Sequence, residues 1–161
     1  MLRRSAIVCI RVIAAIATAI GIYYFCVLPY RGNLLLIDVG LRTASAEKSN
    51  PIRTINLAHE NLRDLSIAQR GCRFDPNWYL LYGANCELLG RWTEAADTYT
   101  RALRIDDRPE IYVDRGMVML HLGRVSEAEA DLTRAARFDP AVVNDLDGDL
   151  RARVAAAAGI H

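Results

Sequence analysis

Aromatic residues supply only 7% of this 161-residue chain, lysine occurs once, and no acid stands among the first thirty residues. Each shortage excludes something. With hydrophobic residues at 52%, few aromatics leave Ala, Leu, Ile and Val as the apolar stock. That stock builds helices and membrane spans rather than a β-sandwich. Setting aside Arg3, Arg4 and Arg11, the remainder carries 17 basic against 19 acidic residues, within an overall net charge of +1. No basic patch for nucleic acid is therefore expected. His59, His121 and His161 are scattered, no His-Glu-x-x-His pair occurs, and no Gly-rich loop follows a strand. Paired carboxylates and a nucleophile–base set are missing as well, so no catalytic, cofactor-binding or metal-ligating residue is expected.

Two smaller features point the same way. Asn144-Asp145-Leu146-Asp147-Gly148-Asp149 alternates carboxylates like the start of a calcium loop. A twelve-residue loop counted from Asp145 would need Gly at position 150 and Glu at 156, where Leu150 and Ala156 stand. Asp149 reads instead as the amino-terminal cap of a tail helix over residues 150–158. Of the four cysteines, Cys9 and Cys26 lie in the apolar amino-terminal stretch. Cys72 and Cys86 would stand about 10 Å apart along an intervening hairpin, beyond the reach of a disulfide, and are expected as buried free thiols.

A run of uncharged residues covers 12–28 and closes at Pro29. At 1.5 Å per residue it spans about 26 Å, a little short of a hydrocarbon core of about 30 Å. A helix begun at Ala6 has ample length and leaves Arg11 near enough to its end to snorkel. Tyr23, Tyr24 and Tyr30 gather at the other end, where amphipathic rings favour the interface. Residues 6–28 thus read as a single transmembrane anchor, after a cytoplasmic stub over 1–5, and 29–33 as a joint. The arginines before the span favour a cytoplasmic amino terminus with the rest of the chain outside. Other readings stand beside this one: a signal peptide cleaved after Ala17-Thr18-Ala19, a buried core helix, and a lipoprotein at Cys26, against which bulky Tyr23-Tyr24-Phe25 argues.

Beyond residue 78 one pattern is written twice. Tyr79-x-x-Tyr82-Gly83, Gly90-Arg91-Trp92-x-x-Ala95 and Tyr99-x-x-Ala102 return 33 residues later as Tyr112-x-x-Arg115-Gly116, Gly123-Arg124-Val125-x-x-Ala128 and Leu132-x-x-Ala135. Phe74-Asp75-Pro76 and Phe138-Asp139-Pro140 punctuate the array, each Asp a cap and each Pro a helix stop and start. The period and order of large, small and turn residues resemble the tetratricopeptide repeat. The resemblance implies an all-α fold, a short solenoid of antiparallel hairpins, with units at 74–108 and 109–140 and a capping tail at 141–161. In it, Gly83 pairs with Ala95 and Gly116 with Ala128 for close helix approach, while Gly90 and Gly123 supply left-handed caps. Arg115, replacing Tyr82, is expected to pack less well or to extend outward.

Stacked repeats need about three units for stability. Residues 34–73 therefore read as a divergent hairpin of the same array, since Leu36-x-x-Val39-Gly40 repeats the large-x-x-large-Gly phrase. Asn50-Pro51 starts its second helix, whose apolar face is Ile52, Ile55, Leu62, Leu65 and Ala68.

The resemblance also implies a partner groove lined by the leading helix of each unit. Asn77, Leu80, Ala84, Glu87 and Leu88 would face it from the first clear copy; Glu110, Val113, Asp114, Met117, Leu120 and His121 from the second. These are apolar or acidic, which excludes a clamp for acidic peptide tails and suits an amphipathic helix or extended peptide. The chain's own flanking helices are the competing occupant. Bacterial proteins that look like this, an anchor followed by a few repeats, serve as scaffolds in envelope-complex assembly. They also serve as non-catalytic accessory subunits of membrane enzymes, or of cytochrome, polysaccharide or secretion systems.

Overall fold

The computed structural model describes residues 2–46 and 50–160, with side chains from Val12 onward. Helix α1 (Leu2–Ile22) runs through a π-helical turn, Tyr23–Val27, straight into α2 (Leu28–Ala46). The expected joint at 29–33 is therefore helical. Pro29 lacks an N–H and its ring would crowd the carbonyl four residues back, at Phe25. The π turn relieves that conflict: Leu28 N–H reaches past the usual partner to the Tyr23 carbonyl, opening the turn just before the proline. The snorkelling expected of Arg11 lies outside the described side chains.

After α2 come α3 (Pro51–Cys72), α4 (Pro76–Leu88), α5 (Trp92–Ala102), α6 (Pro109–His121) and α7 (Val125–Phe138). A 3-10 turn, Pro140–Asp145, leads to α8 (Gly148–Ala158). The starts of these helices follow local chemistry. Asn50 Oδ1 accepts from Arg53 N, Asp75 Oδ1 from Asn77 N and Asp139 Oδ1 from Ala141 N, each at 2.9 Å, and each cap precedes a proline. Gly90 and Gly123 stand at φ of 69° and 72°, closing α4 and α6 in the left-handed region. At the tail the expected cap is corrected by two residues. Asp147, not Asp149, holds the capping position, and its side chain makes no capping hydrogen bond.

Each helix from α2 to α7 packs on its successor; α2 also touches α4, and α4 touches α6. That is the arrangement of a helical solenoid, with α2–α3 as its first hairpin. One core runs from Leu36 and Val39 through Leu65, Trp78 and Tyr99 to Ile111, Val118 and Ala128. A second cluster, Leu132, Ala136, Val143, Leu146 and Val154, lets the 3-10 turn and α8 close the end.

Close approach is set by glycine, though the contacts differ from those expected. A Cβ on Gly83 would lie 2.5 Å from Cε1 and Cζ of Tyr99, and one on Gly116 2.9 Å from Cγ of Leu132. The large residue at the equivalent place in α5 and α7 is what each glycine chiefly admits. At Gly116 the Ala128 carbonyl oxygen, 3.4 Å from the added Cβ, also makes the expected approach, while at Gly83 the three nearest atoms all belong to Tyr99 and none to Ala95. The first hairpin uses two glycines of its own. A Cβ on Gly32 would meet Cys72 Sγ at 2.5 Å, and one on Gly71 the carbonyl oxygen of Leu28 at 2.6 Å. Because the obstacle to Gly71 is backbone, Gly71→Ala is expected to push α3 off α2 and cost about 2 kcal/mol, read as a lowered denaturation midpoint.

The apolar face expected on α3 is partly corrected. Ala58, Leu62, Leu65 and Ala68 are buried, but Ile52 is 75% and Ile55 45% exposed. Thr54 Oγ1 donates to the carbonyl of Ala46, the last residue of α2, so Ile52 lies beyond the end of the helix that would cover it. Asp64 accepts from Arg42 Nη2 at 2.5 Å and ties α3 to α2.

Polar side chains join the first hairpin to the rest. Asn61 on α3, Asn85 on α4 and Thr43 on α2 are all buried. Asn61 Nδ2 donates to Asn85 Oδ1 at 2.9 Å and to Thr43 Oγ1 at 3.2 Å, while Asn85 Nδ2 donates to Thr43 Oγ1 at 2.9 Å. Trp78 adds a further tie, its Nε1 donating to the Leu65 carbonyl at 2.8 Å.

Candidate functional site

Helices α2, α4 and α6 lie side by side, so the residues on their common side form one face. The glycine phrase gives the register. From Gly40 to Gly83 is a step of 43 residues, and from Gly83 to Gly116 a step of 33. Applied to the expected groove positions, these steps match Leu34 with Asn77 and Glu110, Ile37 with Leu80 and Val113, and Leu41 with Ala84 and Met117. Leu34 is 50%, Ile37 62% and Leu41 70% exposed, and Met117 40%. Large apolar side chains left open at i, i+3 and i+7 of one helix make a band, not scattered exceptions. Leu34, Ile37 and Leu41 were not among the positions expected from the resemblance. The signal for them is Gly40 itself, once its phrase is aligned with Gly83.

Between α2 and α4 this face deepens into an open cleft of about 580 Å³, lined by Asn33, Leu36, Ile37, Asp75, Asn77, Leu80 and Leu81. Among the described residues no flanking helix covers this end: α2 forms its wall, and α8 packs at the opposite end of the array on α7.

Farther along, the face turns acidic. Tyr99, wholly buried, donates its hydroxyl to Glu87 Oε1 at 2.5 Å. Asp114 is pushed up to about 7, by burial first and then by the negative fields of Glu87 and Glu110. Near neutral pH this carboxyl thus sits at its balance point, and a cation brought onto the face would favour its ionised form.

The remaining expected positions separate. Asn77 and Glu110 are exposed, while Ala84, Leu88 and Val113 are half-buried. Leu120 packs against both core clusters, so it joins α6 to the end cap instead of lining the face. His121 is exposed, but its ring stacks on Trp92 with centroids 4.0 Å apart and planes 8° from parallel, which commits it to the start of α5. Arg115 neither packs loosely nor extends outward. Its Nε and Nη2 donate to both oxygens of buried Asp131 at 2.7 Å, and Nη1 donates to Thr100 Oγ1 at 3.1 Å. An ion pair thus occupies in the second repeat the place of the Tyr82 ring, which in the first stacks on Trp78. Cys72 and Cys86 are buried and free; burial pushes the Cys86 thiol up to about 12, where it stays protonated and unreactive. Among the described residues no group of three or more His, Cys, Asp or Glu side chains is placed to hold a metal ion.

No protein-family model matches the chain, and no curated protein matches it. Among solved structures, it is similar to a thermophilic TPR protein of Thermus thermophilus, with TM-score 0.61 and 27% identity over 78% of this chain. The chain spans 63% of that protein's length. It is also similar in fold to a chain of a T3SS complex from Aeromonas hydrophila, with TM-score 0.56, 20% identity and 79% of each chain covered.

Proposed function

We propose that this tetratricopeptide-like protein is a membrane-anchored, non-catalytic scaffold whose α2–α4–α6 face holds an apolar-faced helical segment of a protein partner. The observation that carries this reading is the band of Leu34, Ile37, Leu41 and Met117, open on one face beside the α2–α4 cleft. An isolated apolar groove of this size is where an amphipathic helix lays its i, i+3, i+4 and i+7 residues. The carboxylates Glu87, Glu110 and Asp114 favour a partner segment that carries basic residues at one end.

The anchor is supported by the state of α1. Val12, Ile13, Ile16 and Ile20 are each more than half exposed, and among the described residues α1 makes no substantial contact with a helix of the array. The stretch Val12–Ala46 contains a window long and apolar enough to cross a membrane, none of it buried in the protein. An unbroken helix from there into the array favours a retained anchor over a cleaved leader. In the orientation favoured by Arg3, Arg4 and Arg11 the array stands in the periplasm of a bacterial inner membrane, as a scaffold in assembling an envelope complex. An accessory subunit of a membrane enzyme would use the same face.

The test is a crosslinking pull-down from solubilised membranes with the parent and with the double variant Ile37→Asp/Met117→Asp. Capture of one partner by the parent, reduced at least about tenfold in the variant with helicity and melting temperature unchanged, is the expected result. Equal capture by both would remove the face from the interaction. A reporter fused after His161 that is active only in the cytoplasm would overturn the orientation.

A further inference from the structure

The end of α3 lies against the start of α2, the point at which the proposed anchor would leave the hydrocarbon. A Cβ on Gly71 would come within 3.4 Å of Pro29 Cα as well as 2.6 Å of Leu28 O, and one on Gly32 would touch Cys72 Sγ. The α3–α4 turn is thereby fixed at the level of residues 28–32. Arg31 is the first charge after the uncharged run that begins at Val12. Counted to Arg31 that run rises about 28 Å, close to a hydrocarbon thickness of about 30 Å, so under the anchor reading this level is the headgroup boundary.

At that level the π turn, α2 and α3 enclose a cleft of about 320 Å³, lined by Tyr23, Tyr24, Leu28, Arg31, Gly32, Leu35, Ile67, Ala68 and Arg70. Arg31 and Arg70 line it together with aromatic and aliphatic side chains, and among the described residues no acid does. Neither Arg31 nor Arg70 has an ion-pair partner among the described residues, a state they share with other surface arginines such as Arg53, Arg63 and Arg101; what sets them apart is that both line one cleft. Beside the cleft, Ile67 is 63% and Phe74 71% exposed, and the Arg73 guanidinium lies 4.4 Å over the Phe74 ring. Apolar side chains with arginines at the waterline are what a lipid interface selects.

We propose that this cleft binds one anionic phospholipid of the surrounding bilayer. Arg31 and Arg70 hold its phosphate, the acyl chains run down past Tyr24 and Leu28, and Phe74 with Ile67 dips into the interface alongside. Planar guanidiniums with free donors suit a phosphate oxygen pair, and the apolar walls suit the chain ends rather than a free phosphate. The lipid would fix the array at one angle to the membrane, presenting the α2–α4–α6 face consistently to a partner. This inference rests on the anchor reading given above.

The full chain is purified into nanodiscs of phosphatidylcholine with a quarter phosphatidylglycerol, and retained lipid is read by native mass spectrometry. The parent is expected to keep one phosphatidylglycerol in preference to phosphatidylcholine. Arg31→Gln/Arg70→Gln should lower that preference at least about tenfold while the protein stays folded and in the membrane fraction. A parent that retains both lipids alike, or a variant that keeps its preference, overturns the proposal and leaves the anchor standing. Alkaline carbonate extraction of the parent from native membranes is read in parallel; release there overturns the anchor, and the lipid site with it.

Discussion

Asp114→Asn should make the protein more stable than the parent at pH 8, by on the order of 3 kcal/mol, and leave the two equal near pH 4. The carboxyl is displaced from 3.8 to about 7 by burial, Glu87 and Glu110. A folded-state value above the unfolded one means that the native protein binds the proton more tightly. Stability attributable to this group is therefore complete below about pH 4 and falls as pH rises through 7, where the native state must hold a charge it disfavours. The half-open position of Asp114 trims the full conversion of roughly 1.4 kcal/mol per pH unit, hence the smaller figure given above. The amide has the same shape and no proton to lose. The measurement is urea unfolding of both proteins at several pH values, and a parallel pair of curves would refute the assignment. Under the proposed function the penalty has a consequence. If a basic residue of the partner is seated beside Asp114 and Glu87, it recovers this cost, and binding should release a proton between pH 6 and 8.

How far such a face could be seen beforehand varies with the kind of signal. The repeat was legible because Gly83 and Gly116 must stay small against Tyr99 and Leu132, and that steric demand writes itself at a constant spacing. Membership of the first hairpin followed from the stacking requirement, and the structure joins it to the array through α3 and α4. Periodicity alone misread Ile52 and Ile55, since a helical apolar face does not report where the neighbouring helix ends. The unbroken passage through Pro29 was hidden because proline normally marks a boundary, and only the π turn before it lets the helix go on. Arg115 looked like a defect; its partner Asp131 lies sixteen residues away, with nothing local to pair them. The acidic residues of the groove could be named, but the displacement of Asp114 depends on burial that no spacing records.

The least legible feature carries the second large prediction: Asn85→Ala is expected to cost about 3 kcal/mol, and Asn61→Ala less. Both amides are fully buried, and Asn61 Oδ1 already has no partner. Removing Asn85 takes away the acceptor of one Asn61 N–H, although Asn61 Nδ2 still donates its other hydrogen to Thr43 Oγ1, and leaves that orphan oxygen in place, so one N–H and one oxygen of Asn61 stand unpaired beside a new cavity. Removing Asn61 eliminates the orphan together with the amide and strands only Asn85 Oδ1, because Asn85 Nδ2 still reaches Thr43 Oγ1 and the Leu81 carbonyl. The order of the two costs is therefore set by counting unsatisfied groups, and the reverse order in denaturant unfolding would refute the network. Location sharpens the test. In a solenoid each unit leans only on its neighbours, so damage at the α2–α3–α4 junction should stay local. Native-state hydrogen exchange of Asn85→Ala should lose protection in α2, α3 and the start of α4 while α6 and α7 keep theirs. That pattern would also separate the α2–α3 hairpin from the rest of the array. A partner seated across α2, α4 and α6 should then bind the variant more weakly, although none of the side chains it would touch has changed.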